Sequence, residues 1–443
     1  MATGVTKSIW DNLSCVIPIE GYLGNNDYEL VYPYKRQFSE IIQTLSKSNY
    51  KEIFHNDNMN SIYFGENFDV LCHLYHGLNL GDKINLIYID PPFSTNSVFQ
   101  SRNQRNSYKD DLIGSHYIEF MRIRLILLRE LLSTDGSIFV HLDNNMLFQI
   151  KIIMDEIFGS KNFRGFITRK KCSNKNYTKN TYGNISDYIL FYSKTDSYKW
   201  HRPTETWSNE KILKEYPFID ELTGRRYKKV PIHAPGSRNG ETGKTWKGML
   251  PPPGKHWQYT PEKLTEFDEK GEIYWSSNGN PRRKVFLEED KGVPVQDIWL
   301  NLQDSLNQNI KITGYPTEKN PYLLERIINA SSDKDDLILD CFAGSGTTLD
   351  VANQLGRKFI GIDNSLEAVT NIIKRFSLGL EEMGDYVNIK NKKQGLFVFS
   401  PTTNYNPDNS KSTNFSFFTD EEYVDIATIL LEKYLYDRNK TTY

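Results

Sequence analysis

The feature that most constrains the fold of this chain is a set of short, nearly continuous apolar runs separated by helical patterns. Residues 84–90 (INLIYID) form one such run, and residues 336–341 and 358–363 form two more. Runs of this length without alternation are typical of strands buried on both faces of a parallel sheet. Residues 115–132 carry apolar side chains at steps of three and four, which predicts a helix. This order of strands and helices predicts an α/β fold with a doubly wound, Rossmann-like sheet.

The middle of the chain interrupts this pattern. Residues 165–310 are rich in Pro, Gly, Asn, Trp and charge, and they contain only short strand-like pieces. Because the α/β pattern resumes afterwards, we interpret the middle as an insert between two halves of one sheet. The expected divisions are an N-terminal extension, a first half of the sheet domain, the insert, a second half and a C-terminal tail, at residues 1–57, 58–164, 165–310, 311–400 and 401–443.

Basic residues are concentrated in this middle region, although the formal net charge of the chain is only −2. Residues 164–194 contain seven Lys or Arg and one acid, and residues 223–255 contain eight and one acid. Two such stretches favour a region that contacts phosphates, and the alternative is a pair of solvated basic surfaces. The candidate DNA contacts in these stretches are Arg169, Lys170, Lys171, Arg225 and Arg226.

Other features limit where the protein works. No apolar run approaches the roughly 18 residues of a membrane span, and the N-terminus lacks a basic region followed by an apolar one. The four cysteines lack CxxC spacing. We therefore expect a cytoplasmic protein that is associated with DNA, without membrane contact, a disulfide framework or a zinc site.

The first candidate site is the segment Asp90-Pro91-Pro92-Phe93, which follows the first apolar run. Ligands bind beyond the carboxyl ends of strands in open α/β sheets, so this position suits a site. The prolines remove backbone donors and leave acceptor oxygens, and Phe93 offers an aromatic face. Such a pocket suits a planar amine. The alternative is a turn in which Asp90 only caps the strand.

The second candidate site is Asp340-Cys-Phe342-Ala-Gly344-Ser-Gly346-Thr347-Thr348, which runs from a strand into a helix. It lacks the Lys of a Walker A loop and the third Gly of a dinucleotide fingerprint. Asp363 ends the next strand, where a carboxylate can bind ribose hydroxyls. The combination predicts a nucleoside-containing cofactor without a pyrophosphate, and a tight turn with a capping Asp is the alternative.

DPPF followed by FAGSGTT resembles the amino-group DNA methyltransferases of the β group, in which the catalytic motif precedes the cofactor motif. Residues 314–321 (GYPTEKNP) are similar to the segment that closes over the methionine end of the cofactor. The resemblance covers roughly residues 58–376 and is greatest to modification subunits of type III-like restriction systems. One departure is Gly65-Glu66-Asn67, where the family usually has Gly-Asp.

The resemblance implies a Rossmann-like methyltransferase sheet with an inserted target-recognition region, S-adenosylmethionine as cofactor, and no metal. It also implies a flipped target base whose amino group is held by Asp90 and Pro91, with Pro92 in the turn and Phe93 stacked on the base. The residues expected to bind the cofactor are Asp340, Phe342, Gly344, Gly346, Thr347, Asp363, Thr317 and Glu66.

Asp at the first position of DPPF favours N6 of adenine, because the N4-cytosine enzymes of this family more often carry Ser there. N4-cytosine methylation is the alternative within the class, and a nucleic-acid-binding module without turnover is the alternative from another class. The expected partner is double-stranded DNA, and a homodimer and a restriction subunit are left open.

Overall fold

A computed structural model of the chain describes most of its 443 residues. The described residues are 28–57, 59–92, 114–173, 180–288, 291–304, 318–380, 404–406 and 409–436. Within these ranges the chain folds into two compact units. The second unit spans Thr204–Val295, and the first contains the described residues on either side of it.

A ten-stranded mixed sheet forms the centre of the first unit in the described part of the chain. In chain order its strands are β1 (Tyr50–Phe54), β2 (Ser61–Phe64), β3 (Ile84–Ile89), β4 (Leu132–Leu142), β5 (Phe163–Lys170), β6 (Ser186–Ser193), β15 (Ile298–Trp299), β16 (Leu337–Asp340), β17 (Lys358–Asp363) and β18 (Ser416–Asp420), with β7 to β14 in the second unit. Their order across the sheet is β1-β18-β2-β17-β16-β3-β4-β6-β5-β15.

The central strands β18, β2, β17, β16, β3 and β4 are parallel, whereas β1 and β6 run antiparallel to their neighbours. β3 is almost completely buried, because apolar side chains leave it on both faces. The parallel core expected from the apolar runs is therefore confirmed.

Helices cover the faces of this sheet. They are α1 (Phe38–Ile42), α2 (Asn67–Cys72), α3 (Ser115–Leu131), α4 (Leu147–Phe158), α7 (Pro321–Ser331), α8 (Thr347–Gln354), α9 (Leu366–Leu378) and α10 (Val424–Leu431), with α5 and α6 in the second unit. The starts of two helices follow from their sequences. The Asn320 side chain caps α7 ahead of Pro321, and the Ser365 hydroxyl accepts from Ala368 N in α9.

The second unit has a small sheet of its own. Its strands are β7 (Thr204–Glu205), β8 (Phe218–Ile219), β9 (Arg226–Pro231), β10 (His233–Pro235), β11 (Lys255–Trp257), β12 (Ile273–Trp275), β13 (Pro281–Phe286) and β14 (Val293–Pro294), and its helices are α5 (Asn209–Glu215) and α6 (Pro261–Glu269). β12, β13, β9 and β8 form one antiparallel sheet. Trp246 and Trp257 lie in its small apolar core.

The observed insert is shorter than the expected 165–310 region. β5 and β6 belong to the main sheet, because β6 pairs with β4 and β5 pairs with β6, and apolar side chains of β6 lie in the same core as those of α4. The expected N-terminal extension and C-terminal tail also contribute strands, since β1 and β18 pair with each other at the sheet edge. In the described ranges no helix is long and apolar enough to cross a membrane.

Candidate active site

The carboxyl ends of four neighbouring strands bring the predicted site segments together. β2, β17, β16 and β3 are adjacent and parallel, so the residues that follow them lie at one edge of the sheet. Asp90 follows β3, while Asp340 and Asp363 end β16 and β17. The edge therefore carries three carboxyl groups from three strands.

Asp90 has two carboxylate oxygens in different surroundings. Oδ2 lies 2.9 Å from Nζ of Lys319, in an ion pair whose side chains are 17% and 12% exposed respectively. Oδ1 is buried and has no hydrogen-bond partner among the described residues. Pro91 is buried and Pro92 is exposed. A buried acceptor without a donor costs free energy, so this oxygen is suited to a donor supplied by a ligand.

The glycine loop approaches the sheet edge between β16 and α8. Gly346 has φ +75°, a conformation that favours glycine, and a Cβ there would lie only 3.0 Å from Cγ1 of Ile372. Thr347 is buried and its hydroxyl accepts from Arg375, whereas Phe342 and Gly344 are partly exposed at this edge.

Asp363 is held by the loop and by the start of α9. Its Oδ2 accepts from Gly344 N at 2.8 Å and its Oδ1 from Ser365 N at 2.9 Å. The side chain is partly exposed. Burial raises the pKa of Asp363 to about 6, although the backbone donors oppose this. The carboxyl group is therefore mostly ionised at pH 7.

Asp340 is buried and stabilises the glycine loop through two hydrogen bonds. Its Oδ2 accepts from the Thr348 hydroxyl at 2.6 Å and its Oδ1 from Phe342 N at 3.0 Å. Burial raises the pKa of Asp340 to about 7; the two hydrogen bonds lower this pKa, and the charges of Asp90 and Asp363 raise it. Asp340 is 2% exposed. We therefore assign it to shaping the loop and not to contacting a ligand directly.

Glu66 caps α2 and pairs with Arg124 of α3. Its carboxylate accepts from Asp69 N at 3.0 Å and from Arg124 Nη2. Arg124 also donates to Oδ1 of Asn67 and lies over the Phe120 ring, 3.5 Å from its centroid. Asn67 in turn donates to the Cys341 carbonyl at 2.8 Å, so this cluster supports the start of the glycine loop.

A layer of buried polar side chains lies beneath Asp90. The Tyr88 hydroxyl is 2.8 Å from Nδ1 of His141, and Nε2 of His141 is 2.9 Å from Oδ2 of Asp187. Arg169 donates to Asp187 and also to Asp304. Burial lowers the pKa of His141. Burial alone raises the pKa of Asp187, but its contacts with His141 and Arg169 hold that pKa well below its usual range.

The prediction that Arg169 contacts DNA is corrected by this layer. Arg169 is 0% exposed, and its guanidinium is occupied by Asp187, Asp304 and the Leu302 carbonyl. A phosphate cannot reach it without breaking this network. We therefore remove Arg169 from the candidate DNA contacts.

The other four candidate DNA contacts are at least partly accessible. Lys170 and Lys171 are partly exposed at the end of β5, in the first unit. Arg225 is exposed, with its guanidinium over the Phe286 ring, and Arg226 is partly exposed on β9, in the second unit. Two other predicted residues, Phe93 and Thr317, lie outside the described residues.

Several residues of this site were not predicted from the sequence. Lys319 follows Thr317 in the GYPTEKNP segment, but its pairing with Asp90 joins positions more than 200 residues apart. Arg124 lies among the buried residues of α3, and a charged residue within a largely apolar stretch of helix is a signal that the sequence offered. Arg375 is fully buried and donates to the Ser345 carbonyl at 2.9 Å and to Glu318. Within the described ranges, no cluster of three or more His, Cys, Asp or Glu residues could hold a metal ion.

The sequence of the chain is similar to those of known proteins. Residues 84–375 match the model of the N6_N4_Mtase family, described as DNA methylase. The chain is 52% identical over 314 residues to the type II methyltransferase M.EcaI of Enterobacter cloacae, covering 71% of this chain and 69% of that protein. It is 30% identical over 331 residues to the type III restriction-modification enzyme StyLTI Mod subunit of Salmonella typhimurium, covering 66% of this chain and 50% of that subunit. The crystal structure of the M1.HpyAVI–SAM complex aligns with 72% of this chain and 98% of its own, at 17% identity and a TM-score of 0.38.

Proposed function

Because this chain belongs to the N6/N4 DNA methylase family, we propose that it transfers a methyl group from S-adenosylmethionine to N6 of adenine in DNA. The observation that carries the proposal is Asp90 at the carboxyl end of β3, with Oδ1 buried and without a hydrogen-bond partner among the described residues. The preference for adenine rests on Asp, in place of Ser, at the first position of DPPF.

The exocyclic amine of a nucleobase is a weak nucleophile, because its lone pair is delocalised into the ring. In the proposed complex one amino N–H donates to Oδ1 of Asp90 and the other to the Pro91 carbonyl. These hydrogen bonds turn the lone pair out of the ring plane and toward the methyl group. The amine is inaccessible inside a stacked duplex, so the base must be flipped out. The protein then contributes mainly by positioning.

The residues at the sheet edge fit a nucleoside-bearing cofactor. When bound, S-adenosylmethionine supplies an electrophilic methyl group on a sulfonium sulfur. Asp363 accepts hydrogen bonds from the ribose hydroxyls in the proposed complex, because its carboxylate retains acceptor positions beside its backbone donors. Gly344 and Gly346 allow close approach, and Glu66 lies at the neighbouring strand end. Thr317 remains assigned to the methionine end through the family resemblance.

Recognition of the DNA sequence is assigned to the second unit. Arg225 and Arg226 lie in this unit, and its small sheet carries exposed or partly exposed Lys and Arg side chains. Lys170 and Lys171 are assigned to phosphates, which position a duplex without reading its sequence.

The Mod subunit among the relatives supports a restriction subunit as a further partner. Light scattering on the purified chain tests the homodimer.

The proposal is tested with an Asp90→Asn variant, which keeps the shape of the side chain and removes its charge. We expect single-turnover transfer of labelled methyl groups to unmethylated genomic DNA to fall by on the order of 100-fold or more, with cofactor affinity within about twofold. Asp425→Asn, an exposed position on α10, is the matched control and retains the wild-type rate. Transfer by Asp90→Asn at the wild-type rate would contradict the assignment.

A further inference from the structure

Lys319 is a charged group in direct contact with Asp90. Its Nζ lies 2.9 Å from Oδ2, and both side chains are mostly buried. Oδ1 of the same carboxylate is buried without a hydrogen-bond partner in the described part of the chain. An ion pair that served stability alone would not require a buried oxygen left without a donor, because such an oxygen costs free energy.

The backbone on both sides of Lys319 is fixed by buried contacts. The Glu318 carboxylate accepts from Arg375. Asn320, fully buried, donates to the Gln303 carbonyl at 2.8 Å and caps α7 by accepting from Tyr322 N. Lys319 therefore extends from a short segment that is anchored immediately before and after it.

The same network reaches the glycine loop. Arg375 donates to the Ser345 carbonyl at 2.9 Å and to the Thr347 hydroxyl at 3.0 Å, in addition to its contact with Glu318. One buried guanidinium thus connects the loop assigned to the cofactor with the segment that carries Lys319. The position of the ammonium is set by the structure that is assigned to hold the methyl donor.

We propose that Lys319 is a positioning residue for Asp90, an inference that rests on the function proposed above. A carboxylate can rotate about its last bond, which exchanges its two oxygens. The ammonium holds Oδ2 through a charge-assisted hydrogen bond and so directs Oδ1 toward the amino group of the target base. It also offsets the cost of burying the Asp90 charge. Reaction rates fall steeply when such an acceptor is misplaced, even by about 1 Å.

The test compares Lys319→Met, which keeps the length of the side chain without its charge, with Lys319→Arg, which keeps the charge. For Lys319→Met we expect single-turnover methyl transfer to genomic DNA to fall by on the order of 100-fold at saturating cofactor and DNA. The cofactor and DNA dissociation constants stay within about threefold, since neither ligand is assigned to Lys319. Lys319→Arg, which keeps the positive charge, retains at least about a tenth of the wild-type rate.

Lys358→Met is the matched control, because Lys358 lies at the amino end of β17, away from the site edge. It retains the wild-type rate. Should Lys319→Met fail to fold, as judged by its melting temperature, Lys319→Gln takes its place with the same expectation. The inference is overturned if Lys319→Met or Lys319→Gln loses cofactor affinity together with activity and Lys319→Arg is no more active. That result would mean that Lys319 has only a structural role.

The two proposals fail in different ways. If Asp90→Asn is inactive while Lys319→Met transfers at the wild-type rate, the positioning role is wrong and the proposed function stands. If Asp90→Asn itself remains active, the proposed function is wrong at Asp90, whatever Lys319→Met does.

Discussion

The assignment of Asp363 to the cofactor ribose predicts that cofactor affinity depends on pH in a specific way. Burial raises the pKa of Asp363 to about 6 in the free protein. Ribose hydroxyls donate to the ionised carboxylate, so the ligand binds the deprotonated form. The observed dissociation constant is then multiplied by one plus ten to the power of the pKa minus the pH. This factor is about 1.1 at pH 7 and about 11 at pH 5, which corresponds to a loss of about 1.4 kcal/mol.

The assay is isothermal titration calorimetry with S-adenosylhomocysteine, a stable cofactor analogue, between pH 5 and pH 7. The wild type should bind about tenfold more weakly at pH 5 than at pH 7. Asp363→Asn should bind more weakly than the wild type at pH 7, by about 1.5 to 3 kcal/mol, because a hydrogen bond to a charged group is lost. Its affinity should vary much less with pH.

Asp340 is the necessary control, because its pKa is also raised, to about 7, and its titration could alter the profile through the loop. Asp340→Asn should keep the tenfold weakening at pH 5, since Asp363 remains. A flat wild-type profile, or a pH dependence that persists unchanged in Asp363→Asn, would refute the reasoning.

Three further predictions follow from other parts of the structure. Arg169→Met removes the guanidinium that neutralises buried Asp187, which keeps only its contact with His141, and should lower the free energy of unfolding by about 3 to 5 kcal/mol in urea titrations; a loss below 1 kcal/mol would contradict the buried network. Replacing Lys170 and Lys171 with Gln should weaken binding to all DNA sequences alike and reduce the slope of log K against log salt by up to about 2, and an unchanged slope in fluorescence anisotropy would leave them as solvated charges. Exchanging residues 204–295 with those of a relative should change which sites single-molecule sequencing finds methylated, and an active hybrid with the original site would place recognition elsewhere.

Much of the central fold could be predicted because it is encoded locally. The apolar run at residues 84–90 corresponds to β3, and the helical periodicity at residues 115–132 corresponds to α3. Both patterns lie within a single segment and indicate which of its side chains are buried. They therefore predict secondary structure without knowledge of the segment that packs against it. The ends of these strands could be predicted for the same reason, and with them the positions of Asp90 and Asp363.

The edges of the sheet could not be predicted in this way. β5 and β6 have mixed polar and apolar residues, and their place in the main sheet depends on the antiparallel pairing of β6 with β4 and of β5 with β6. β1 and β18 are far apart in the chain and pair with each other. Short strands of this kind depend on long-range pairing, which local pattern does not reveal.

Charge patterns were similarly ambiguous. Arg169 and Lys170 are neighbours in a basic stretch, yet they alternate along β5, so the first side chain is buried and the second is partly exposed. The contact between Lys319 and Asp90 depends on two segments meeting at the sheet edge. Sequence spacing identified each segment but not the atoms that meet.

The most direct test of the account is the identity of the methylated nucleoside. Purified protein is incubated with unmethylated DNA and S-adenosylmethionine that carries a trideuterated methyl group, and the digested DNA is analysed by mass spectrometry. We expect labelled N6-methyldeoxyadenosine from the wild type and its loss in Asp90→Asn. Labelled N4-methyldeoxycytidine would contradict the assignment to adenine, and the absence of any labelled nucleoside would contradict methyl transfer to DNA.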